Sequence, residues 1–122
     1  MKRGRQHAER HGHKSESLAA LWLRLKGYRI LARRLKTHVG EIDLVAAAPF
    51  GPVCFVEVKA RAAARIAAES VGQSQQTRIA RAASLYLASR PHLSRRGARF
   101  DIVAIAPNSF PVHHRDVWRA DL

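Results

Sequence analysis

GEIDLVAAAPFGPVCFVEVKAR, residues 40–61, reads as two strands around one turn. Pro49-Phe50-Gly51-Pro52 is the turn, where proline fixes its own φ and glycine relaxes the next one. Before it, alternation puts Ile42 and Leu44 on one face of a strand and Glu41, Asp43 and Val45 on the other. After it, Val53, Phe55, Glu57 and Lys59 share one face, while Cys54, Val56 and Val58 share the other. The short connection makes the pair an antiparallel hairpin. Three carboxylates and an ammonium therefore sit in runs otherwise suited to burial, where unpaired charge is expensive.

Chemistry suggests why. Glu57 and Lys59 lie two residues apart and project from one side. A register that aligns the polar faces brings Asp43 beside Glu57. Two carboxylates that close repel each other and raise a pKa, and a divalent cation removes the conflict. Mg²⁺, or Mn²⁺ in its place, takes oxygen ligands, commonly one or two carboxylates with waters and phosphate oxygens. The expected metal ligands are Asp43, Glu57 and the carbonyl of Val58 between the two polar side chains. Such a metal polarises a phosphodiester and acidifies a bound water. Lys59 would orient that water or stabilise charge developing on phosphate. Glu16 could join from the first helix, through water on the metal or by holding Lys59, and Gln75 could position the nucleophile. The alternative for Glu16 is an N-terminal helical glutamate favoured by the helix dipole. The alternative for the whole set is a solvated charged strand, since E-x-K alone is common.

Outward from the hairpin the chain punctuates clearly. Residues 1–14 are polar and basic without periodicity and read as a flexible arm. Residues 15–122 read as one domain. Ser15 or Ser17 can cap a helix that Gly27 ends. Leu18, Leu21, Trp22 and Leu25 form one apolar stripe on it, with Trp22 expected in the core. Ala19, Ala20 and Leu23 form a second stripe, which Glu16 extends by one turn. Tyr28 to Leu35 reads as a strand. The Ala-rich stretch after Arg61 is ambiguous between loop and helical turn. From about Ser74 a second helix places Ile79, Ala82, Ala83 and Tyr86 inward, with Gln75 one turn upstream, and Pro91 marks its end. Ala98 to Ala106 is a fourth strand, and Val117 and Trp118 suit a final short strand or turn. A helix between the third and fourth strands permits a parallel crossover. The result is an α/β fold with a small mixed central sheet flanked by helices.

Charge narrows the partners. Lys+Arg is 22 against 9 Asp+Glu, a net charge of +13, and arginine dominates, with a planar fork that suits phosphate. Nucleic acid is the expected partner. The single cysteine, Cys54, excludes a disulfide framework, which fits a reducing cytoplasm. No secretory leader and no membrane-length apolar run is present, so no membrane partner is expected. His11 with His13, and His113 with His114, lack the spaced partners of a metal site.

The segments GYRILARR, GEIDLVA, FVEVKAR, RIARAASLYL and RFDIVAI occur in this order across most of residues 15–106. Together they resemble the catalytic core of the PD-(D/E)xK nuclease superfamily, with its restriction-endonuclease-like fold. More narrowly they resemble the YraN-like family of small bacterial proteins, similar in their core to archaeal Holliday junction resolvases. By that resemblance Asp43, Glu57 and Lys59 take the motif positions and Glu16 the first-helix acidic position of the resolvases. The resemblance implies a Mg²⁺-dependent endonuclease acting on DNA, branched or damaged DNA included, and a homodimer. Two rivals remain: a nucleic-acid-binding module without turnover, and a basic accessory protein bound to ribosomes or other proteins.

Overall fold

The computed structural model of the chain describes residues 2–61 and 71–122, with side chains from residue 12 onward. Its elements run α1 (Lys2–Leu25), β1 (Arg29–Thr37), β2 (Gly40–Ala47), β3 (Val53–Lys59), α2 (Gln73–Ala88), the single turn α3 (Pro91–Ser94), β4 (Ala98–Ala104) and β5 (Val112–Trp118). One five-stranded sheet holds all strands in the order β1-β2-β3-β4-β5. The expected hairpin is present: β2 and β3 pair antiparallel from Ala47↔Val53 to Leu44↔Val56. The crossover through α2 and α3 makes β3 and β4 parallel, from Val53↔Ala98 to Lys59↔Ala104. β1 and β5 close the edges antiparallel.

Each sheet face buries against one helix. Ile79, Ala82, Ala83, Tyr86 and Leu87 of α2 pack with Ile42, Val45, Val53, Phe55, Phe100 and Ile102. Ala19, Ala20 and Leu23 of α1 pack with Leu44, Ala46, Cys54, Val56 and Val103 on the opposite face. Of the two stripes on α1, the small one is chosen. Ala19, Ala20 and Leu23 are fully buried, whereas Leu18, Leu21 and Leu25 are exposed. Alanine lets a helix axis approach a sheet closely, so the bulkier stripe is left outside. Trp22 is half-buried rather than core, and its ring stacks on Phe110 at 5.7 Å.

α1 also begins earlier than its serines suggest. Instead of starting at a Ser15 or Ser17 cap, helical backbone runs from Lys2. Lys, Arg, Gln, Ala and Glu in this stretch are favourable helix formers, and Gly4 and Gly12 do not break it. At the other end the Tyr28 amide donates to the Leu23 carbonyl (3.0 Å) and the Gly27 amide to that of Arg24 (3.0 Å). Gly27 lies at φ 90, so this is a Schellman ending that a side chain would strain. The Ala-rich stretch after Arg61 lies largely outside the described residues.

Strand β2 departs from simple alternation. Ile42 and Val45 face α2, while Leu44 and Ala46 face α1, so Ile42 and Leu44 do not share a face as expected. The pairs Leu35↔Ile42 and Arg33↔Leu44 flank Arg34 and Asp43, and Arg34 holds the left-handed value φ 49. That backbone state, sparse for a long side chain, lets the ribbon turn over by one residue beside Asp43. The preceding turn is tied by Thr37, whose hydroxyl accepts from the amides of Val39 and Gly40 and donates to the Gly40 carbonyl. Gly40 is required here: a Cβ would lie 2.7 Å from the Arg78 carbonyl oxygen on α2.

Candidate functional site

Beyond Leu44↔Val56 no further β2–β3 register pair forms, and a side chain takes over from the backbone. Asp43 Oδ2 accepts the Val58 amide at 2.8 Å. In a strand the amide and carbonyl of one residue point the same way, so the Val58 carbonyl also faces the gap that Asp43 enters. Glu57 stands beside it. Its Oε1 accepts from Gln75 Nε2 of α2 at 3.1 Å and lies 3.4 Å from Lys59 Nζ. Lys59 and Glu57 are both mostly buried, at 19% and 16% side-chain exposure. Gln75 is carried here by the inward stripe of α2, one turn upstream of Ile79.

Glu16 arrives from α1, buried to 3%. Its Oε1 lies 3.1 Å from Arg33 Nε and 3.5 Å from Arg34 Nε, and Arg33 also donates to the Ser17 hydroxyl at 2.7 Å. The helix-terminus alternative for Glu16 does not hold, because α1 starts fourteen residues earlier at Lys2. Glu16, Glu41, Asp43, Val58, Arg34 and Lys36 line a cavity of about 300 Å³. His13 reaches it too, with Nε2 against the Arg34 guanidinium.

Electrostatics binds the group together. Burial pushes the Asp43 carboxyl up to about 6, the charge of Glu57 adds to this, and Glu16 adds a little more. The Val58 amide and Lys59 pull the other way and do not prevail. Every sequence-predicted site residue is therefore within electrostatic or hydrogen-bonding reach of another. Glu41 stays exposed at the rim. Among the described residues no three His, Cys, Asp or Glu are grouped to hold a metal. The donor set is instead the Asp43 carboxylate and the Val58 carbonyl at the gap, with the Glu57 carboxylate held nearby by Gln75 and Lys59, and burial, then the charge of Glu57, favours a proton on Asp43. That set fits Mg²⁺, which needs only one or two carboxylates. His113 and His114 do not form a pair: they are neighbours on β5, His113 is bonded to Asp101, and His114 Nε2 is buried with no partner among the described residues.

One cluster was not anticipated. Asp101 of β4, with its side chain fully buried, accepts from Arg99 Nε (2.8 Å) and Nη2 (2.7 Å), from the Asp116 amide (3.0 Å) and from His113 Nε2 (2.7 Å). Arg99 Nη2 also donates to the Tyr28 hydroxyl at 2.8 Å. Burial alone would raise the Asp101 carboxyl, but the bonds from Arg99, His113 and the Asp116 amide hold it at about 2. The signal was present in Arg99-x-Asp101, the same two-residue spacing within an apolar strand that singled out Glu57 and Lys59.

A mixed five-stranded sheet flanked by helices, with acidic groups and a lysine where its central ladder stops, is an α/β arrangement consistent with a restriction-endonuclease-like core. The chain belongs to the uncharacterised protein family UPF0102, whose sequence pattern matches residues 15–105. This is the YraN-like family that the sequence resembled. A UPF0102 protein of Paramagnetospirillum magneticum is 51% identical over 98% of this chain and 95% of its own length. UPF0102 proteins of a Chelativorans species and of Agrobacterium fabrum are 49% and 48% identical, each over 93% or more of both chains. Among the described residues no helix is long and apolar enough to cross a membrane.

Proposed function

We propose that this protein is a metal-dependent endonuclease that hydrolyses phosphodiester bonds in DNA, with branched or damaged DNA as its substrate class. The observation that carries this reading is Asp43 at the mouth of the β2–β3 gap. Its carboxylate is bonded to the Val58 amide and destabilised by burial and then by the charge of Glu57, an arrangement in which a nearby positive charge favours its ionised form. Asp43, Glu57 and the Val58 carbonyl would hold Mg²⁺ or Mn²⁺. When bound, that cation supplies Lewis acidity toward a phosphate oxygen and a water of lowered pKa.

The protein's own groups do the rest. Asp43 would lend its ionised carboxylate to the cation, and the Val58 amide keeps that carboxylate at the gap. Lys59, 3.4 Å from Glu57, presents an ammonium to the developing phosphate charge or to the attacking water. Gln75 fixes the Glu57 carboxylate from α2. Glu16 holds Arg33 and Arg34 near the cavity, where their guanidinium groups suit backbone phosphates. The net charge of +13 draws DNA by counterion release. A homodimer goes with this reading, because a four-way junction presents two symmetric cuts.

The test is direct. Purified protein and its Glu57→Ala and Lys59→Ala variants are incubated with plasmid, single strands and four-way junctions in Mg²⁺ or Mn²⁺. Wild type should cut, and each variant should lose nearly all turnover while retaining salt-sensitive binding. Binding by wild type without cleavage in either ion would replace this reading with a binding module.

A further inference from the structure

A second chain of titratable groups lies apart from Asp43 and Glu57, and nothing in the proposed hydrolysis uses it. His113 Nε2 is 2.7 Å from Asp101 Oδ2. Asp101 is a carboxylate acceptor here, so Nε2 carries the ring proton and Nδ1 is left with a lone pair. That lone pair meets Lys26 Nζ at 2.6 Å. The imidazole cannot turn away: its side chain is 2% exposed, and its edge packs against the Tyr28 ring with centroids 5.5 Å apart. Lys26 itself is only half-buried, at the C-terminal end of α1. The order Asp101–His113–Lys26 thus places an oriented base directly on an amine that solvent can reach.

We propose that Lys26 is an acylation site, taking an acyl group from an activated donor of the acyl phosphate or acyl thioester class with His113 as its proton acceptor and Asp101 as the anchor of that histidine. The environment agrees with the geometry. Burial lowers the proton affinity of Lys26, Arg115 and Arg99 lower it further, and Asp101 opposes them. The Tyr28 ring lies 5.8 Å beneath Nζ. Lys14 and Lys36, by contrast, are exposed, and Lys59 is ion-paired with Glu57.

An acyl phosphate supplies both the acyl carbon and a phosphate leaving group. The ammonium passes one proton to His113 Nδ1, and the freed lone pair attacks the acyl carbon. A nitrogen–carbon bond forms and the carbon–oxygen bond to phosphate breaks, its electron pair leaving with phosphate. The second nitrogen proton leaves with the phosphate, and His113 returns its proton to water. The product amide is neutral and no longer competes for His113.

Full-length protein is incubated with acetyl phosphate in one arm and acetyl-coenzyme A in the other, and acetylation at each lysine is followed by mass spectrometry. Lys26 should react on the order of a hundredfold faster than Lys14 and Lys36, the lower end of what a positioned base contributes. The faster arm identifies the donor class. His113→Asn should remove that advantage while leaving Lys14 and Lys36 rates unchanged, with a cooperative thermal melt of the variant as the control for intact folding. Wild type alone gives a second test, since its Lys26 rate should rise with pH ahead of the Lys36 rate. Equal rates at Lys26 and Lys36 with both donors, or a Lys26 advantage that survives His113→Asn, would overturn the proposal.

Discussion

Replacing Asp43 by asparagine should stabilise the metal-free protein while abolishing the proposed hydrolysis. The Asp43 carboxyl ionises at about 6 in the fold against an ordinary 3.8. An acid whose folded pKa lies above its unfolded one loses its proton first in the unfolded chain. Stability therefore falls as pH rises from near 4 to about 6 and stays low above that. The two-unit gap is worth about 3 kcal/mol at most, and solvent at the cavity mouth reduces it, so about 1–3 kcal/mol is expected. Asparagine keeps an oxygen for the Val58 amide and carries no charge for Glu57 to repel. In EDTA at pH 8, Asp43→Asn should melt several degrees higher than wild type, at about 3–5 °C per kcal/mol for a chain of this length. At pH 4 the two should coincide. Equal melting temperatures at pH 8, or a variant less stable there, would refute the reasoning.

Other outcomes follow from single contacts. Gly40→Ala forces a methyl against the Arg78 carbonyl oxygen and should cost about 1–3 kcal/mol, read as a lower urea midpoint with unchanged slope. Asp101→Asn leaves Arg99 and His113 without their shared carboxylate and should cost about 3–5 kcal/mol in the same assay. Because Asp101 is held at about 2, its contribution to wild-type stability is complete above pH 4 and is lost as pH falls toward 2, visible as acid unfolding that Asp101→Asn shifts upward in pH. DNA affinity should fall linearly on a log–log plot against salt, and Arg33→Ala should shallow that slope by about one counterion.

The hairpin, the parallel β3–β4 pair and the inward face of α2 were legible because each rests on a local period. Glu57 and Lys59 stood out as charges in an otherwise apolar strand, and the helical period of α2 placed Gln75 one turn before Ile79; Asp43 stood out as a charge too, although β2 does not keep the alternation that was to place it. Three features were not. The choice between two stripes on α1 depends on how closely the helix can approach the sheet, which is a property of the partner surface as well as of Ala19 and Ala20. The turnover of β2 between Ile42 and Leu44 depends on Arg34 at φ 49, a state that an arginine does not advertise. The Asp101 cluster gathers groups from three distant parts of the chain, with Tyr28 and Arg99 separated by 71 positions, beyond the reach of any window read along the sequence.

Cys54 offers a practical consequence. It is the chain's one thiol, it sits in the central strand with no exposure, and burial, reinforced by the charge of Asp101, pushes it up to about 12. An alkylating reagent at neutral pH meets neither a thiolate nor an open path to sulfur. Labelling can advance only when the middle of the sheet parts, so the mass added by iodoacetamide over time is a built-in clock for that opening, free of any introduced probe. Any variant described above can be timed on it.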